Sequence, residues 1–428
     1  MLTQPMSAPL ARFSRHWRAI GGAARLYLAH IALLTAGQAV IELFFNLAIR
    51  QFGYSLADLG QIATAAVAAS AALSLPLWWL ASRMGLRSAL LLNGALQACA
   101  TAAYALAPSL GWLLAASALS GGSAVLLQVS AAPLMMRHSD AATRDTLFSA
   151  NSAIGIGVAG LASLLAGPLP GLLGAGASGY RAAFLVAAAG TLVACVPLLP
   201  WWPAWREAAP RTPDLPSAGE AAPSAPDQPG PLALLVALWR DAPAILALAI
   251  SPALISVGAA LLVPYFNLFF RSTFGASDAA LGLIFALMNV ATGAAVLAGP
   301  LFSRRYGKVA TIVLGQALSL PFLLLMGFAP SLGVAVGAAM LRGGLINMAQ
   351  PLYHAFAMER TREALRPTVI GIIGGASTVG YLFAPSVSTW VQASYGFGPL
   401  FLATGGCYLL ATLATAALFL RRGRAVVQ

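Results

Sequence analysis

The chain has 428 residues, 59% of them hydrophobic and only 8% charged, with a formal net charge of +12 and a mean hydropathy of +0.82. Soluble domains carry about 25% charged residues, so this composition cannot supply a water-facing surface and excludes a soluble globular fold. The basic excess is spread along the chain rather than gathered in one patch. It points to anionic lipid headgroups and away from nucleic acid.

Residues 1–26 place Leu10, Phe13, Trp17 and Ile20 at spacings of three and four, with Arg12, Arg15 and Arg18 between them. That pattern predicts a cytoplasmic amphipathic segment lying on the membrane surface; a plain flexible tail is the alternative. Twelve apolar runs follow, each near the 20 residues needed to cross a hydrocarbon core about 30 Å thick. The first six are Tyr27–Ile49, Asp58–Ala81, Ala89–Ala107, Gly111–Met136, Leu147–Leu169 and Ala182–Trp201. The first is too long for a signal-peptide core and is read as a retained helix. Residues 202–243, rich in Pro, Ala and Ser and holding many of the acidic residues, read as a disordered cytoplasmic linker. The other six runs are Ala244–Phe270, Ala280–Phe302, Val309–Ala329, Leu332–Ala357, Thr368–Ala393 and Pro399–Leu420, before a cytoplasmic tail at 421–428. Barrel strands alternate apolar and polar residues, and "LLLNGALQACATAAYAL" (90–106) does not. The fold class expected is therefore an all-α polytopic membrane protein of twelve transmembrane helices.

Twenty of the 24 basic residues fall on one side when both termini are placed in the cytoplasm; only Arg50, Arg181 and Arg271 fall opposite, and Arg342 lies within a span. This asymmetry is the positive-inside rule. The pentapeptide "APSLG" occurs at 107–111 and again at 329–333, an offset of 222 residues. At the same offset Gly53 meets Gly275, Gly85 meets Gly307, and "LSGGSAVLLQ" (119–128) meets "LRGGLINMAQ" (341–350). The chain thus reads as two parallel six-helix bundles, residues 27–201 and 244–420, born of one duplicated unit. Parallel repeats joined by a cytoplasmic tether are a transporter architecture.

The loops after helices 2 and 8 read "WWLASRMGLR" (78–87) and "PLFSRRYGKV" (300–309). They resemble the G-x-x-x-D-R-x-G-R-R marker of the major facilitator superfamily, with Arg83, Gly85 and Arg87 matching in the first and Arg305, Gly307 and Lys308 in the second. The resemblance covers nearly the whole chain and implies a secondary transporter whose cytoplasmic gate contains those six residues. The marker's leading Gly and its Asp are missing from both loops. Asp145, Glu359 and Glu363, in neighbouring loops, are candidate substitute carboxylates. "GPLPG" (167–171) resembles the helix 5 motif of the family's drug/proton antiporters, without its second terminal Gly.

Charges deep in a bilayer are costly and functional by default, and two lie inside spans: Glu42 and Arg342. In the resembling family helices 1, 4, 7 and 10 line a central cavity, which implies that both line it. Gln38, Glu42 and Asn46, four residues apart, would form one polar stripe. Gln128, Tyr265, Asn267, Asn347, Gln350, Tyr353 and His354 would add polar points, and Phe45, Phe266, Phe269 and Phe270 aromatic surface. The substrate-binding set expected is Gln38, Glu42, Asn46, Gln128, Tyr265, Asn267, Arg342, Asn347 and Gln350. Desolvation disfavours a carboxylate's charge and a guanidinium favours it, which nominates Glu42 as the proton-coupling residue. The alternative is a buried Glu42–Arg342 ion pair joining the halves.

Other signals point away from enzyme chemistry. Cys99, Cys195 and Cys407 sit in apolar runs without paired spacing, and the four histidines are scattered, so no metal or other cofactor is expected. "GIGVAG" (155–160) fits G-x-G-x-x-G but follows no strand; it reads as close helix packing, as do Gly167, Gly171, Gly371 and Gly375. The function expected is alternating-access, proton-coupled export of an amphipathic small molecule across the inner or plasma membrane. Proton-coupled uptake of a small carboxylate-bearing solute is the alternative, and a non-transporting membrane receptor or scaffold the alternative of another class.

Overall fold

A computed structural model describes residues 20–140, 143–202, 205, 231–362 and 365–420. The expected surface segment before residue 20, most of the linker, the tail from 421, and Glu363 lie outside the described residues. Among the described residues there is no strand, and twelve helices are long and apolar enough to cross a membrane. In order they are helix 1 (Gly22–Gln51), helix 2 (Leu56–Met84), helix 3 (Leu86–Leu106), helix 4 (Leu110–Arg137), helix 5 (Arg144–Ala166) and helix 6 (Ala177–Leu198). They continue with helix 7 (Trp239–Phe274), helix 8 (Asp278–Tyr306), helix 9 (Lys308–Gly327), helix 10 (Leu332–Arg360), helix 11 (Thr368–Tyr395) and helix 12 (Gly398–Leu420).

The repeated peptides have a physical cause. In both copies of "APSLG" the serine caps the next helix: Ser109 accepts from Trp112 N–H and Ser331 from Val334 N–H, which satisfies donors that a helix start leaves open. The loop glycines Gly85 and Gly307 adopt φ of +87° and +81°, a conformation that a side chain would strain. Helix 3 packs on helices 4 and 6, and helix 9 on helices 10 and 12, so each copy repeats the same neighbours.

The three arginines that break the charge rule each have a local partner. Arg181 donates to the carbonyls of Ala105 and Leu106 at the end of helix 3, Arg50 to the carbonyl of Tyr54, and Arg271 pairs with Asp278. Cations at helix C-termini satisfy carbonyls that lack helical partners.

The chain divides into two compact units, Met1–Ala48 with Ala65–Asp214 and Ile49–Thr64 with Leu215–Gln428. Two boundaries differ from the sequence expectation. Residues 49–64 group with the second unit, where Gly60 has no side chain to hold it off Ser386 and Thr389, and Thr64 Oγ1 meets Ser386 Oγ at 3.0 Å. The helix leading into the seventh span starts at Pro231 rather than near 244. Proline is tolerated at a helix start, and Leu232, Leu234, Leu235 and Leu238 are good helix formers.

Close helix approach occurs at glycines other than those expected. A methyl group on Gly121 would collide with the Ala66 carbonyl, and one on Gly380 with the backbone of Ser256 and Val257. At Gly155, Gly157, Gly171, Gly371 and Gly375 it would meet nothing within 4 Å, which corrects the close-packing reading of those positions. Spacing identifies small residues but not what faces them. Gly121→Ala should therefore destabilise the purified protein by about 1–3 kcal/mol through overpacking. Gly157→Ala should leave the thermal unfolding midpoint in detergent unchanged or slightly raised.

Candidate functional site

In the first unit, Glu42 is exposed and Gln38 half-buried on helix 1, while Leu43 and Phe44 beside them are fully buried. Among the described residues Glu42 forms no ion pair. Gln38 borders a cavity of about 440 Å³, whose wall also includes Tyr27, Leu34 and Asn151. Asn46, expected on the same stripe, is instead buried at 7% exposure. Each step of four residues turns a 3.6-residue helix about 40° too far, so two steps carry Asn46 some 80° off the line of Gln38. Gln128 on helix 4 is exposed. Phe45 is taken up by an edge-to-face contact with Tyr104, centroids 4.9 Å apart.

In the second unit the polar residues of helix 7 turn inward. The helix breaks at Pro264, with a 3-10 turn over Val263–Tyr265 before Phe266–Phe274. Tyr265 is 1% exposed and donates to the Pro385 carbonyl at 3.3 Å, while Asn267, also 1% exposed, accepts from Leu268 N–H at 2.8 Å. Asn267 thus meets a backbone donor of the restarted helix, as freed backbone in lipid must find protein partners, while Tyr265 ties the turn to helix 11. Phe269 and Phe270 are buried, with Phe269 packed on Phe397 and Phe401, so they form core rather than open aromatic surface. On helix 10, Gln350 is exposed, and Asn347 returns its Nδ2 to the Gly343 carbonyl of its own helix. Tyr353 is buried, donating to the Leu248 carbonyl, and His354 is half-buried.

Arg342 is 4% exposed. Its Nη2 donates to the Tyr408 hydroxyl, and its guanidinium lies 5.6 Å from the Phe266 ring centre and 5.3 Å from that of Tyr408. Cation–π attraction offsets part of the desolvation cost of such a charge. Among the described residues its Nε has no hydrogen-bond partner. Tyr408 is the residue sequence reasoning missed; the signal available was a tyrosine within the otherwise apolar last span.

The two marker loops replace their missing aspartates differently. Arg83 lies 4.3 Å from the Trp79 ring and Arg87 5.7 Å from the Trp205 ring. Trp205 is itself buried, its indole N–H donating to the Pro197 carbonyl, and it meets His138 edge-on. Burial and the neighbouring charge of Arg137 hold the His138 pKa below the usual imidazole value, which keeps a second cation off the ring that faces Arg87. In the second loop Lys308 pairs with Glu359, one of the candidate substitute carboxylates, while Arg305 lies over Tyr306. Asp145 is exposed. Arg362 pairs with Asp241 at 3.0 Å nearby.

Comparison with known proteins bears on what such a chain is. The model of the Major Facilitator Superfamily matches it twice, over residues 26–269 and 248–427. Among solved structures it is similar to a bacterial homolog of the human lysosomal transporter Spinster, in an inward-facing and unoccupied conformation (TM-score 0.72, 15% identity, 93% of this chain and 94% of that one). It is also similar to a bacterial homologue of the iron transporter ferroportin (TM-score 0.70, 16% identity, 92% and 98%). A third likeness is to a D-xylose-proton symporter (TM-score 0.67, 14% identity, 92% and 96%). No curated protein matches the chain. Two family matches spanning nearly its whole length, on a fold of twelve apolar helices, place the chain in the Major Facilitator Superfamily of transporters.

Proposed function

We propose that this family member is a secondary active transporter that works by alternating access and exports an amphipathic small molecule in exchange for protons, with Glu42 carrying the proton. The carrying observation is that Glu42 is exposed, in no ion pair among the described residues, about nine residues from the end of helix 1. At 1.5 Å per residue that is roughly 13 Å below the helix end. A charge facing lipid there would cost about 2.5–3.5 kcal/mol or more, so the exposed face is read as wet. Half-buried Gln38 and exposed Gln128 fit a polar lining in the first unit, and exposed Gln350 is a polar point of the second; Asn46, Tyr265, Asn267 and Asn347 are read as structural support within their own units. The loops holding Arg83, Gly85, Arg87, Arg305, Gly307 and Lys308 act as the cytoplasmic gate, with aromatic faces and Glu359 in place of the marker's acids. Both termini lie in the cytoplasm, and the membrane is the inner or plasma membrane.

A second reading rests on Arg342. Its unpartnered Nε is a donor that a substrate carboxylate would satisfy, which favours uptake of a small acid. Tyr408 and the two aromatic faces already engage the guanidinium, and on that balance export is preferred.

Reconstituted into liposomes with an imposed pH gradient, the wild-type protein should drive substrate out against its gradient. Glu42→Gln should abolish that flux while retaining substrate binding; undiminished active flux would refute the proton role. Arg342→Gln should leave affinity for the exported substrate within about twofold. A loss of about tenfold or more, the scale of a charge-assisted hydrogen bond, together with inward flux, would establish the carboxylate reading instead.

A further inference from the structure

The cavity beside Gln38 lies within the first unit, between helices 1, 4 and 5. Its volume of about 440 Å³ falls within the range of small-molecule sites, roughly 300–1,000 Å³. Leu34, Leu127 and Ile156 give it apolar walls, and Gln38, Asn151 and Ser152 a polar edge. Among the described residues no charged side chain lines it. Tyr27 donates its hydroxyl proton to Asn151 Oδ1 at 3.2 Å. That bond leaves the Asn151 N–H groups, and the whole amide of Gln38, without partners among the described residues.

Helix 5 makes the space. Gly155 lines the cavity, and a methyl group added to it would meet nothing within 4 Å; Gly157 is equally open. The "GIGVAG" run, which fits neither a nucleotide loop nor tight helix contact at these positions, therefore hollows out one wall. A desolvated anion seated here would find no cation among the described lining residues to offset its lost hydration, and Glu42, one turn along helix 1 from Gln38, would repel it. A neutral group able to exchange hydrogen bonds with two primary amides would find both partners and apolar cover.

We propose that this cavity seats an uncharged, hydrogen-bonding portion of the substrate, such as an amide, hydroxyl or carbonyl on an apolar body, with Gly155 setting the room available. Gln38 and Glu42 are one helical turn apart, about 6 Å, so an occupant lies next to the proton site. The assignment rests on the small-molecule transport reading above, but its test needs no gradient and no flux, so the two can fail separately.

The test uses the full-length protein in detergent and two probes with one skeleton, ω-phenylhexanamide and ω-phenylhexanoate, titrated calorimetrically. The amide should bind about tenfold or more tightly than the carboxylate, the scale on which a site rejects an unpaired polar group. Gly155→Leu should weaken amide binding by about tenfold or more, and Gly155→Ala by a smaller factor, a graded loss of volume at a site where added atoms meet open space. Equal affinity for the two probes, no binding of the amide, or a folded Gly155→Leu variant with unchanged affinity would each overturn the assignment. Should the leucine variant unfold, Gly155→Ala decides: unchanged amide affinity rejects the assignment, and a measurable loss supports it.

Discussion

A charge in hydrocarbon must be shielded, paired or wetted, and the architecture of this transporter can be read from how it meets that demand. Nearly all of its cations stand outside the spans, and the three arginines at the sparsely charged end each hold a carbonyl or a carboxylate. Only two charges lie deep within helices, and they meet opposite fates. Arg342 is enclosed by Tyr408 and Phe266 in the second unit. Glu42 is left exposed in the first. The enclosed cation reads as part of the scaffold, and the exposed acid as a group free to exchange a proton.

The duplicated halves keep what the backbone needs and vary what the chemistry needs. Both serine caps and both left-handed loop glycines survive, because a helix start and a tight loop make the same demands in either copy. The loop carboxylates did not survive. One loop replaced them with tryptophan faces over which arginines lie, the other with a lysine paired to Glu359. The two solutions respond differently to solvent. An exposed ion pair such as Lys308–Glu359 is weakened by salt, whereas Arg87 beside the buried Trp205 ring is less so.

The twelve spans and the duplication were legible in the sequence because bilayer thickness imposes a length on every such chain and a repeated unit keeps its caps and turns. Burial was less legible. Tyr265 and Asn267 have the polarity of cavity residues, yet beside the proline break both turn inward, Asn267 to its own helix backbone and Tyr265 to a helix 11 carbonyl. Asn46 shares the spacing of Gln38 and Glu42, but the excess turn of two four-residue steps carries it into the core. The glycines of helix 5 carry no label for packing or for space, since only the neighbours decide that. Tyr408 stood out only as a tyrosine in an apolar span; its role depends on a guanidinium 66 residues away.

The central claim is that Glu42 faces water inside the membrane, and labelling tests it directly. In a background where Cys99, Cys195 and Cys407 are replaced by serine, Glu42→Cys should react with a membrane-impermeant maleimide, whereas Asn46→Cys should stay unreactive in the folded protein. An inert cysteine at position 42 in a folded variant, tested from both sides of the bilayer, would place that side chain in a dry setting and contradict the account.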